Sequence, residues 1–368
     1  MTALTIAHVS TQRGWHGGEE QARLLCEGLR KRGHRNLVFA RHDGRFAERM
    51  LSDGFEVHRL PGSGRGPRAI LQMRRTWKGL RPDVVHFHDP HALSGGGLAA
   101  WRLGIPARIV ARRVDFSIRS TWRYRHLIDR VIAVSSAVAQ VCQTSGVPPE
   151  KIRVVLDGVD PSRAQGGDRQ RGRRTLQIGE QTWLLLTVAT LTDHKGHTYL
   201  LRALPSVLQW HPERNIVLAL AGDGELREAL EAEVAGLNLG DAVRFLGFRD
   251  DIPDLLKAAD LFVLPSHMEG LCSTLIDVMI ARAPIVTTWA GGIPDLVGQR
   301  ESEPAVAMMA PVREPEALTD AIHRAIEEPG MMKGLVDAAE RRALAHFTDE
   351  QMVDGTLNVY RELAAGRH

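Results

Sequence analysis

Two carboxylates in one short segment have the spacing to hold the hydroxyl groups of a single ligand. Glu269 precedes Gly270 in a predicted loop, and Asp277 lies eight residues after Glu269. A helix that begins at about Leu271 would carry Asp277 two turns in, so that the loop and the helix face reach the same ligand. Carboxylates accept hydrogen bonds from vicinal hydroxyls, such as those of ribose and other sugars.

Backbone amides at the start of this helix would add donors for the same ligand. The first turn of a helix leaves N–H groups without intrahelical acceptors, here those of Leu271, Cys272 and Ser273. We expect them to bind a phosphate or sugar hydroxyls. Cys272 has no partner base in the sequence, so we interpret it as a filler of the helix start and not as a nucleophile.

A lysine stands where a bound phosphate would need a positive charge. Lys195 and Gly196 follow the apolar run Trp183–Ala189 and precede a predicted helix. A lysine there can meet a phosphate as a point charge, and the helix dipole supports it. The chain has only six lysines among 47 basic residues, which favours a specific role over an ordinary solvated lysine.

Histidines cluster after another apolar run, Val84–Phe87. His88, Asp89 and His91 follow it, and His86 points to the opposite sheet face from the phenylalanine after it. The clustering favours a functional role for His88 over that of a satisfied structural histidine. Metal ligation is disfavoured, because no second cluster with ligand spacing completes the set.

A glycine-rich loop follows the first apolar run, Leu4–Val9. Gly14, Gly17 and Gly18 permit a tight turn, and a helix beginning near Gly18 would offer free amides to an anion. The dinucleotide fingerprint G-x-G-x-x-G is absent. A glycine loop without a ligand is the alternative.

The elements that must position these residues alternate along the chain. Short apolar runs such as Leu4–Val9 and Leu261–Leu264 are separated by amphipathic segments of helix length. This alternation predicts parallel sheets covered by helices on both faces, with a last strand at Ala305–Met308. In such sheets ligands bind beyond the carboxyl ends of the strands, where the residues above stand.

The polar segment 160–181 divides this pattern into two halves of similar size. It is rich in glycine and arginine and has no apolar period, so it is predicted as a linker. We therefore predict two doubly wound domains, 1–165 and 180–345, with the ligand site in the cleft between them.

Positive charge is concentrated in the first half. Residues 1–160 carry 26 Lys/Arg and 14 Asp/Glu, whereas residues 161–368 carry 21 and 30. Between residues 59 and 81, seven basic residues occur without an acid, and Trp77 and other apolar residues are interleaved. A helix over residues 68–80 would present a basic face beside an apolar stripe, which suits an anionic membrane surface. The alternative is that the stripe faces the core.

Other classes of protein are disfavoured. Of the 368 residues 43% are hydrophobic, and no apolar run approaches the ~18 residues of a membrane-spanning helix. The N-terminus lacks the pattern of a secretory signal, and the scattered Cys26, Cys142 and Cys272 disfavour disulfides and structural zinc. No aromatic platform accompanies the arginines, which disfavours nucleic-acid binding. We expect a cytoplasmic protein, peripheral at the inner membrane face if the basic face binds lipid.

Several longer motifs resemble the retaining glycosyltransferases of family 4. They are LTDHKGHTYLLRAL, LALAGDGELREALE, VIAVSSAVAQVCQTSGVPPEKIRVVLDGVD and the segment 243–297. Their order and spacing agree over roughly residues 5–360. The resemblance implies the α/β fold class GT-B, two Rossmann-like doubly wound domains facing each other across a cleft. The second would hold a nucleotide-sugar donor, and a C-terminal helix at 348–364 would pack back onto the first, acceptor-side domain.

The resemblance also implies roles for individual residues. Lys195 would contact the donor diphosphate, Glu269 the donor sugar, and Asp277 the ribose in place of the family's usual glutamate. His88 would lie beside the reacting sugar and the acceptor. The implied catalytic residues are His88, Lys195 and Glu269, and the implied donor-binding residues are Gly17, Gly18, Thr190, Gly196, Phe248, Arg249, Gly270, Leu271, Cys272, Ser273 and Asp277.

Two positions depart from the family pattern. Thr190 stands where many members have an arginine that neutralises the diphosphate, so one positive charge is missing. Either another arginine substitutes or turnover is slower. Asp277 is shorter than the usual glutamate, so its ribose contact is altered or carried by a shifted backbone.

The implied reaction is transfer of a sugar, with retained anomeric configuration, from a UDP-sugar or similar donor. The acceptor would be a hydroxyl of a lipid-linked, lipopolysaccharide or other cell-envelope glycan, and the departing phosphate would take its proton. No metal or other cofactor is expected to be required. The alternatives on this fold are a nucleotide-sugar epimerase, a pyridoxal-phosphate-dependent phosphorylase and a non-catalytic nucleotide-sugar-binding protein.

Overall fold

The computed structural model describes residues 3–298 and 304–365, which form two compact units. The first unit comprises the described residues of Met1–Val159 and Asp349–His368, and the second those of Asp160–Thr348. Residues 1–2 and 299–303 of the two predicted domains lie outside the described residues. Within the described part of the chain, no helix combines the length and the hydrophobicity needed to cross a bilayer.

The first unit is built on a parallel sheet with the strand order β3-β2-β1-β4-β5-β6-β7 among the described residues. Its strands are β1 (Thr5–Ser10), β2 (Arg35–Arg41), β3 (Glu56–Leu60), β4 (Val84–Phe87), β5 (Ala107–Arg112), β6 (Arg130–Ala133) and β7 (Ile152–Val154). Every residue of β4 is buried, as expected for a strand with helices on both faces. The strand order reverses between β1 and β4, so the loops that follow these two strands diverge and leave room for a ligand.

The second unit repeats this plan with the order β10-β9-β8-β11-β12-β13 among the described residues. Its strands are β8 (Thr182–Val188), β9 (Asn215–Ala221), β10 (Val243–Gly247), β11 (Leu261–Leu264), β12 (Ile285–Thr288) and β13 (Met308–Ala310). The order reverses between β8 and β11. The last strand begins at Met308, where the predicted strand ends, so the prediction at Ala305–Met308 is wrong by about three residues.

Helices cover both sheets. Those before the unit boundary are α1 (Gly17–Lys31), α2 (Arg45–Ser52), α3 (Pro67–Leu80), α4 (Pro90–Ala100), α5 (Trp122–His126) and α6 (Ser136–Thr144). Those of the second unit are α7 (Pro161–Gln165), α8 (Arg169–Thr175), α9 (His197–Trp210), α10 (Arg227–Gly236), α11 (Ile252–Ala258), α12 (Ser273–Ala281), α13 (Ile293–Val297), α14 (Pro315–Glu327) and α15 (Pro329–His346). The chain then returns to the first unit in α16 (Asp349–Ala365). The prediction of two doubly wound α/β units is confirmed.

Helix α16 completes the core of the first unit. Its residues Val353, Leu357 and Tyr360 are buried in one cluster with Leu25 of α1 and Ile109 of β5. An apolar stripe at helical spacing thus covers a sheet face that would otherwise be open to water. The last helix is therefore part of the first unit's fold, and not a tail of the second.

The apolar stripe of α3 faces the core and not the solvent. Trp77 is 1% exposed and meets the ring of Phe39 edge-on, with ring centroids 5.5 Å apart, and Met73 is buried as well. Of the two interpretations of this stripe, the structure supports the one in which Met73 and Trp77 face the core. The basic residues Arg68, Arg75 and Lys78 of α3 are exposed, and so are Arg59, Arg65 and Arg81 outside the helix.

The segment predicted as a linker is folded into the second unit. Helices α7 and α8 lie in it, and α8 packs against α11. The Arg173 side chain is 2% exposed, and its guanidinium donates hydrogen bonds to the carbonyls of Ala258 (3.1 Å) and Gly179 (2.5 Å). It also donates to the Asp260 carboxylate at 3.3 Å. One of the arginines that gave the segment its polar composition is thus a core residue, because backbone carbonyls satisfy its hydrogen bonds and Asp260 balances its charge.

We expect Arg173→Met to destabilise the second unit by about 2–4 kcal/mol, because several buried acceptors lose their donor at once. Thermal unfolding followed by calorimetry measures this as a drop of several degrees, at about 2–4 °C per kcal/mol. Arg174→Met is the matched control, since Arg174 is the next residue of α8 and is exposed. Equal melting temperatures for the two variants would contradict the role of Arg173.

Candidate functional site

Two loops of the second unit meet at the carboxyl ends of β8 and β11. The loop after β8 contains a short 3-10 turn, Asp193–Lys195, and ends at Gly196 with φ 70°. A Cβ at Gly196 would lie 2.1 Å from the carbonyl oxygen of Pro265, directly after β11. The amide of His267 also donates to the carbonyl of His194 at 3.0 Å. The two loops are therefore held together by backbone contacts that only glycine permits at position 196.

This contact brings together Lys195 and Glu269. The Lys195 ammonium lies 2.7 Å from Glu269 Oε1, and the Ser266 hydroxyl donates to the same oxygen at 2.8 Å. The Glu269 side chain is 5% exposed, whereas that of Lys195 is 17% exposed. A buried carboxylate is thus neutralised by a lysine that still reaches the surface. An ammonium carries three N–H donors, so this pairing is compatible with a phosphate contact.

The loop after β12 fixes the backbone of Glu269. The amide of Gly292 donates to the Glu269 carbonyl at 3.0 Å. Gly291 has φ 47°, and a Cβ there would lie 1.9 Å from the same carbonyl oxygen. The loop that carries this carboxylate is therefore held by the loops after β8 and β12. A group that orients a substrate needs such a fixed position.

The helix after Glu269 begins at Ser273, two residues later than predicted. Cys272 precedes it in the left-handed region, with φ 76°. Leu271 and Cys272 therefore belong to the loop, and the first helical amide is that of Ser273. A nine-residue helix starting at this point directs its free amides and its positive end towards the loops that carry Lys195 and Glu269.

Cys272 is half-buried beside this site but is not activated by it. Burial raises the pKa of its thiol to about 12, and the negative charges of Glu269 and Asp277 act in the same direction. The positive charge of Lys195 opposes them only in part. The interpretation of Cys272 as a filler and not a nucleophile agrees with a thiol that stays neutral at physiological pH.

We expect the native protein to have no fast-reacting thiol at pH 8. A pKa of about 12 leaves roughly one thiol in ten thousand ionised at that pH, against about a quarter for an ordinary cysteine. Burial also raises the pKa of Cys142 and that of Cys26. Alkylation by iodoacetamide, read by mass spectrometry, should be slow until guanidinium exposes all three thiols. Rapid single labelling at Cys272 would contradict the assignment.

Asp277 contacts an arginine from the segment predicted as a linker. Asp277 is buried on α12, and its Oδ2 lies 3.7 Å from the guanidinium of Arg163 on α7. The sequence suggested that Glu269 and Asp277 reach one ligand. The structure places both near Cys272, but adds Arg163 as a neighbour of Asp277 that sequence reasoning missed.

The remaining predicted donor-binding residues of the second unit lie in its surface loops. Thr190 is exposed, and its hydroxyl lies 3.3 Å from that of Thr192. Phe248 is 76% exposed after β10, as a ring available for stacking would be. The next residue, Arg249, donates two hydrogen bonds to Asp251, at 2.8 and 2.5 Å. That carboxylate holds the guanidinium in the loop.

In the first unit, His88 lies at the end of β4 and is 6% exposed. Sequence reasoning grouped Asp89 and His91 with His88, but these two residues bind other partners. Asp89 caps α4, accepting from the amides of His91 and Ala92, and it also binds the hydroxyl of Thr11. His91 lies 2.9 Å from an Arg65 nitrogen at the surface.

The glycine loop forms the first turn of α1. Gly17 is the first helical residue and Gly18 the second. The buried Glu19 accepts a hydrogen bond from the His16 amide at 3.0 Å, and burial raises the pKa of Glu19. A carboxylate therefore already lies at the positive end of this helix. Arg113 lies beside it, since a Cβ on Gly18 would be 3.6 Å from the Arg113 Cδ.

Sequence reasoning missed several residues of both sites. His8 and His86 join His88 in one buried group, and Tyr360 of α16 reaches the His86 ring. Ser266 and Gly291 support Glu269 in the second unit. For His86, a local signal was the alternation that turned it away from the phenylalanine after it. Ser266 lies only three residues before Glu269, whereas the contacts of His8, Tyr360 and Gly291 join residues far apart in the chain.

Two family models match nearly the whole chain. The model described as glycosyl transferases group 1 matches residues 168–342, and the model described as glycosyltransferase family 4 matches residues 15–163. Together they span the two units.

Individual relatives are similar in sequence. A D-inositol 3-phosphate glycosyltransferase of Acidothermus cellulolyticus is 30% identical over 77% of this chain and 68% of its own length. An uncharacterized glycosyltransferase of Methanocaldococcus jannaschii is 27% identical over 63% of this chain. The chain covers 60% of that relative's length.

A solved structure has the same fold. The crystal structure of Anabaena HepE in complex with UDP and glucose superposes with a TM-score of 0.84. The superposition covers 98% of this chain and 100% of HepE at 20% sequence identity. The likeness extends through both units.

Proposed function

The chain belongs to the glycosyl transferases group 1 family, and on this premise we propose that it transfers a glycosyl group from a nucleoside-diphosphate sugar to a hydroxyl acceptor. The observation that carries the proposal is the pairing of Lys195 with the buried Glu269 at 2.7 Å. It puts a cation for a diphosphate and a carboxylate for a sugar side by side at one sheet edge. The expected donor is a UDP-sugar, in line with the UDP complex of the HepE structure.

The proposed reaction retains the anomeric configuration. The acceptor oxygen forms a bond to the anomeric carbon on the face from which the nucleoside diphosphate departs. The bond between the anomeric carbon and the phosphate oxygen breaks, and that oxygen takes the acceptor's proton. Lys195 and the first amides of α12 stabilise the charge that grows on the leaving group, which is the role that fixed donors perform best. We expect these groups to suffice without a metal ion.

Residues of each unit have distinct roles in this proposal. Glu269 orients the donor sugar, Asp277 binds the ribose, and Phe248 stacks on the base. His88 of the first unit contacts the reacting sugar and the acceptor. Because Thr190 stands where many family members have an arginine, Lys195 neutralises a larger share of the diphosphate's negative charge.

Thermal unfolding with a panel of nucleotides tests the donor site. UDP and UDP-sugars are compared with GDP, ADP, CMP and dTDP compounds. A ligand at 100 times its Kd stabilises by about 2.7 kcal/mol, which raises the melting temperature by several degrees. A shift with the uridine compounds alone supports the proposed donor, whereas a shift with another base corrects it. Failure of every nucleotide to shift the transition would overturn the proposal.

Product analysis separates the proposed transfer from its alternatives. An epimerase would convert the donor sugar without any acceptor, and a phosphorylase would show the absorbance of a bound pyridoxal phosphate. A non-catalytic protein would bind the donor without turnover. Proton NMR of the glycoside product reports whether the anomeric configuration of the donor is kept.

We also propose that the acceptor is carried by an anionic membrane, which the first unit would bind through a surface other than the stripe of α3. Large apolar side chains are exposed on α4, directly after it, in the loop before α5 and on α5, among basic residues; they are Leu98, Trp101, Phe116 and Trp122. Arg74 of α3 donates to the carbonyl of Trp101 at 2.7 Å, which connects Trp101 to α3. Exposed tryptophans beside arginines are typical of surfaces that lie in a lipid interface.

We expect the protein to bind phosphatidylglycerol vesicles in a flotation assay, and less so as salt rises. Trp101→Ser combined with Trp122→Ser should weaken binding by at least about 10-fold, because a fully buried large apolar side chain contributes about 1.5–3 kcal/mol. Trp210→Ser is the control, since Trp210 is 46% exposed but belongs to the second unit. Equal binding by both variants would contradict this surface.

A further inference from the structure

Three histidines converge beneath α16, in the interior of the first unit. His8 of β1 is the register partner of His86 on the neighbouring strand β4, and His88 follows two residues later. Side chains of paired residues lie on the same face, and so do those two residues apart. The three imidazoles therefore share one face, and all are at least nine-tenths buried.

The three rings are arranged as ligands of one ion would be. One nitrogen of each ring lies within 4.8 Å of the others, and His8 Nδ1 and His88 Nε2 are 3.0 Å apart. In a tetrahedral zinc site, with Zn–N bonds of about 2.0–2.1 Å, the ligand nitrogens lie about 3.3–3.4 Å apart. For the pair His8 and His88, a separation larger by a few tenths of an ångström would match this geometry.

The outer nitrogens of two rings have hydrogen-bond partners, so their inner nitrogens are the ones left for an ion. Asn36 donates from Nδ2 to the carbonyl of His34, so its Oδ1 faces His8 Nε2 at 2.9 Å and accepts a hydrogen bond from it. His8 Nδ1 is then unprotonated. His86 Nδ1 lies 2.6 Å from the hydroxyl of Tyr360, which leaves Nε2 as the ligand nitrogen. Ligating histidines almost always have such an outer partner.

Two ring nitrogens of the cluster are buried and have no hydrogen-bond partner among the described residues. They are His86 Nε2 and His88 Nδ1. Buried polar atoms are rarely left unsatisfied in native proteins. The charged groups next to the cluster are Arg113, which donates to the carbonyl of His88 at 3.3 Å, and Asp157, 3.5 Å from that guanidinium. Their opposite charges largely cancel at the site.

The geometry points to a transition-metal site formed by His8, His86 and His88, which would take Zn²⁺ or a similar divalent ion. Imidazole nitrogen suits zinc, cobalt, nickel and copper, and not magnesium or calcium. Three protein ligands leave a fourth position for water or another oxygen ligand. The ligands of this site all belong to the first unit, and Lys195 and Glu269 are not among them. Its role would be to hold His88 in place from the side of the core.

Cobalt binding tests the site, with the tag-free full chain stripped of metal by a chelator. We expect one Co²⁺ per chain, the visible absorption bands of four-coordinate cobalt, and displacement by Zn²⁺ but not by Mg²⁺. His86→Gln should abolish the bands. His42→Gln, at an exposed histidine of the same unit, should leave them unchanged.

A second variant, Tyr360→Phe, distinguishes a specific effect on metal binding from loss of binding through misfolding. It keeps all three imidazoles and removes only the outer partner of His86, so cobalt affinity should fall by about 10-fold. Circular dichroism establishes that each variant is folded. Absence of the bands from the wild-type chain at millimolar Co²⁺ would overturn the inference, and so would equal binding by His86→Gln and His42→Gln.

Discussion

Lys195→Ala is expected to lower kcat/KM for glycosyl transfer by about 10²–10³-fold, the usual effect of removing one fixed charge-stabilising donor. The variant loses the cation that would face the leaving diphosphate. It also leaves the carboxylate of Glu269, which is 5% exposed, without its cationic partner, while the hydroxyl of Ser266 still donates to it. Removing one member of a buried ion pair costs about 3–5 kcal/mol, so the melting temperature should fall as well.

A double-mutant cycle separates the two effects of Lys195. Glu269→Gln removes the charge but keeps a group that can bind Ser266, and the two replacements together remove the unpaired charge. We expect the double variant to recover stability relative to Lys195→Ala while transfer stays low. Lys31→Ala is the matched control, because Lys31 pairs with Glu27 at 3.5 Å on the surface of α1. If Lys195→Ala retained full activity with saturating donor, the proposed role of the lysine would be wrong.

Gly196→Ala is expected to destabilise the second unit by about 4 kcal/mol or more and to abolish donor binding. Alanine at φ 70° costs roughly 1–2 kcal/mol by itself. The added Cβ would also lie 2.1 Å from the Pro265 carbonyl oxygen, so the loops after β8 and β11 must separate. That movement would take Lys195 away from Glu269. Denaturant unfolding and the nucleotide thermal shift measure the two losses.

Gly247→Ala is the control for the cost of placing alanine in the left-handed backbone region. Gly247 has φ 64°, but a Cβ there would have no heavy atom nearer than Arg227 Nη1 at 3.7 Å. We expect it to cost only the left-handed term of roughly 1–2 kcal/mol. Equal destabilisation by the two variants would mean that the contact between the loops contributes nothing.

The residues that sequence reasoning found are those whose role follows from their place after a strand. Apolar runs mark the strands of a parallel sheet because such strands are buried on both faces. The loops after β8 and β11 could therefore be assigned to one edge, and Lys195 and Glu269 do meet there. The position of β8 beside β11 has no local signal in the sequence, so the 2.7 Å contact between Lys195 and Glu269 could not be predicted as a contact.

The errors have a common physical origin. The stripe with Trp77 has the same helical period whether it faces lipid or a core, so the sequence pattern alone does not distinguish the two. The contact of Trp77 with Phe39 shows that it faces the core. The segment 160–181 looks like a linker because arginine counts as polar, whereas Arg173 is buried among carbonyl groups that no composition reveals. His8 is 78 residues from His86, and only the strand order makes them neighbours.

The return of α16 to the first unit imposes an order on folding during synthesis. Tyr360, Val353 and Leu357 are core residues of a unit whose other part ends at Val159. At 5–20 residues per second, the ribosome needs roughly 10–40 s to make the intervening second unit. The first unit is therefore synthesised first but completed last. One apolar face of its sheet stays uncovered while the second unit is synthesised and folds. A nascent chain arrested before α16 is expected to expose that face to chaperones, even though nine-tenths of the protein has been made.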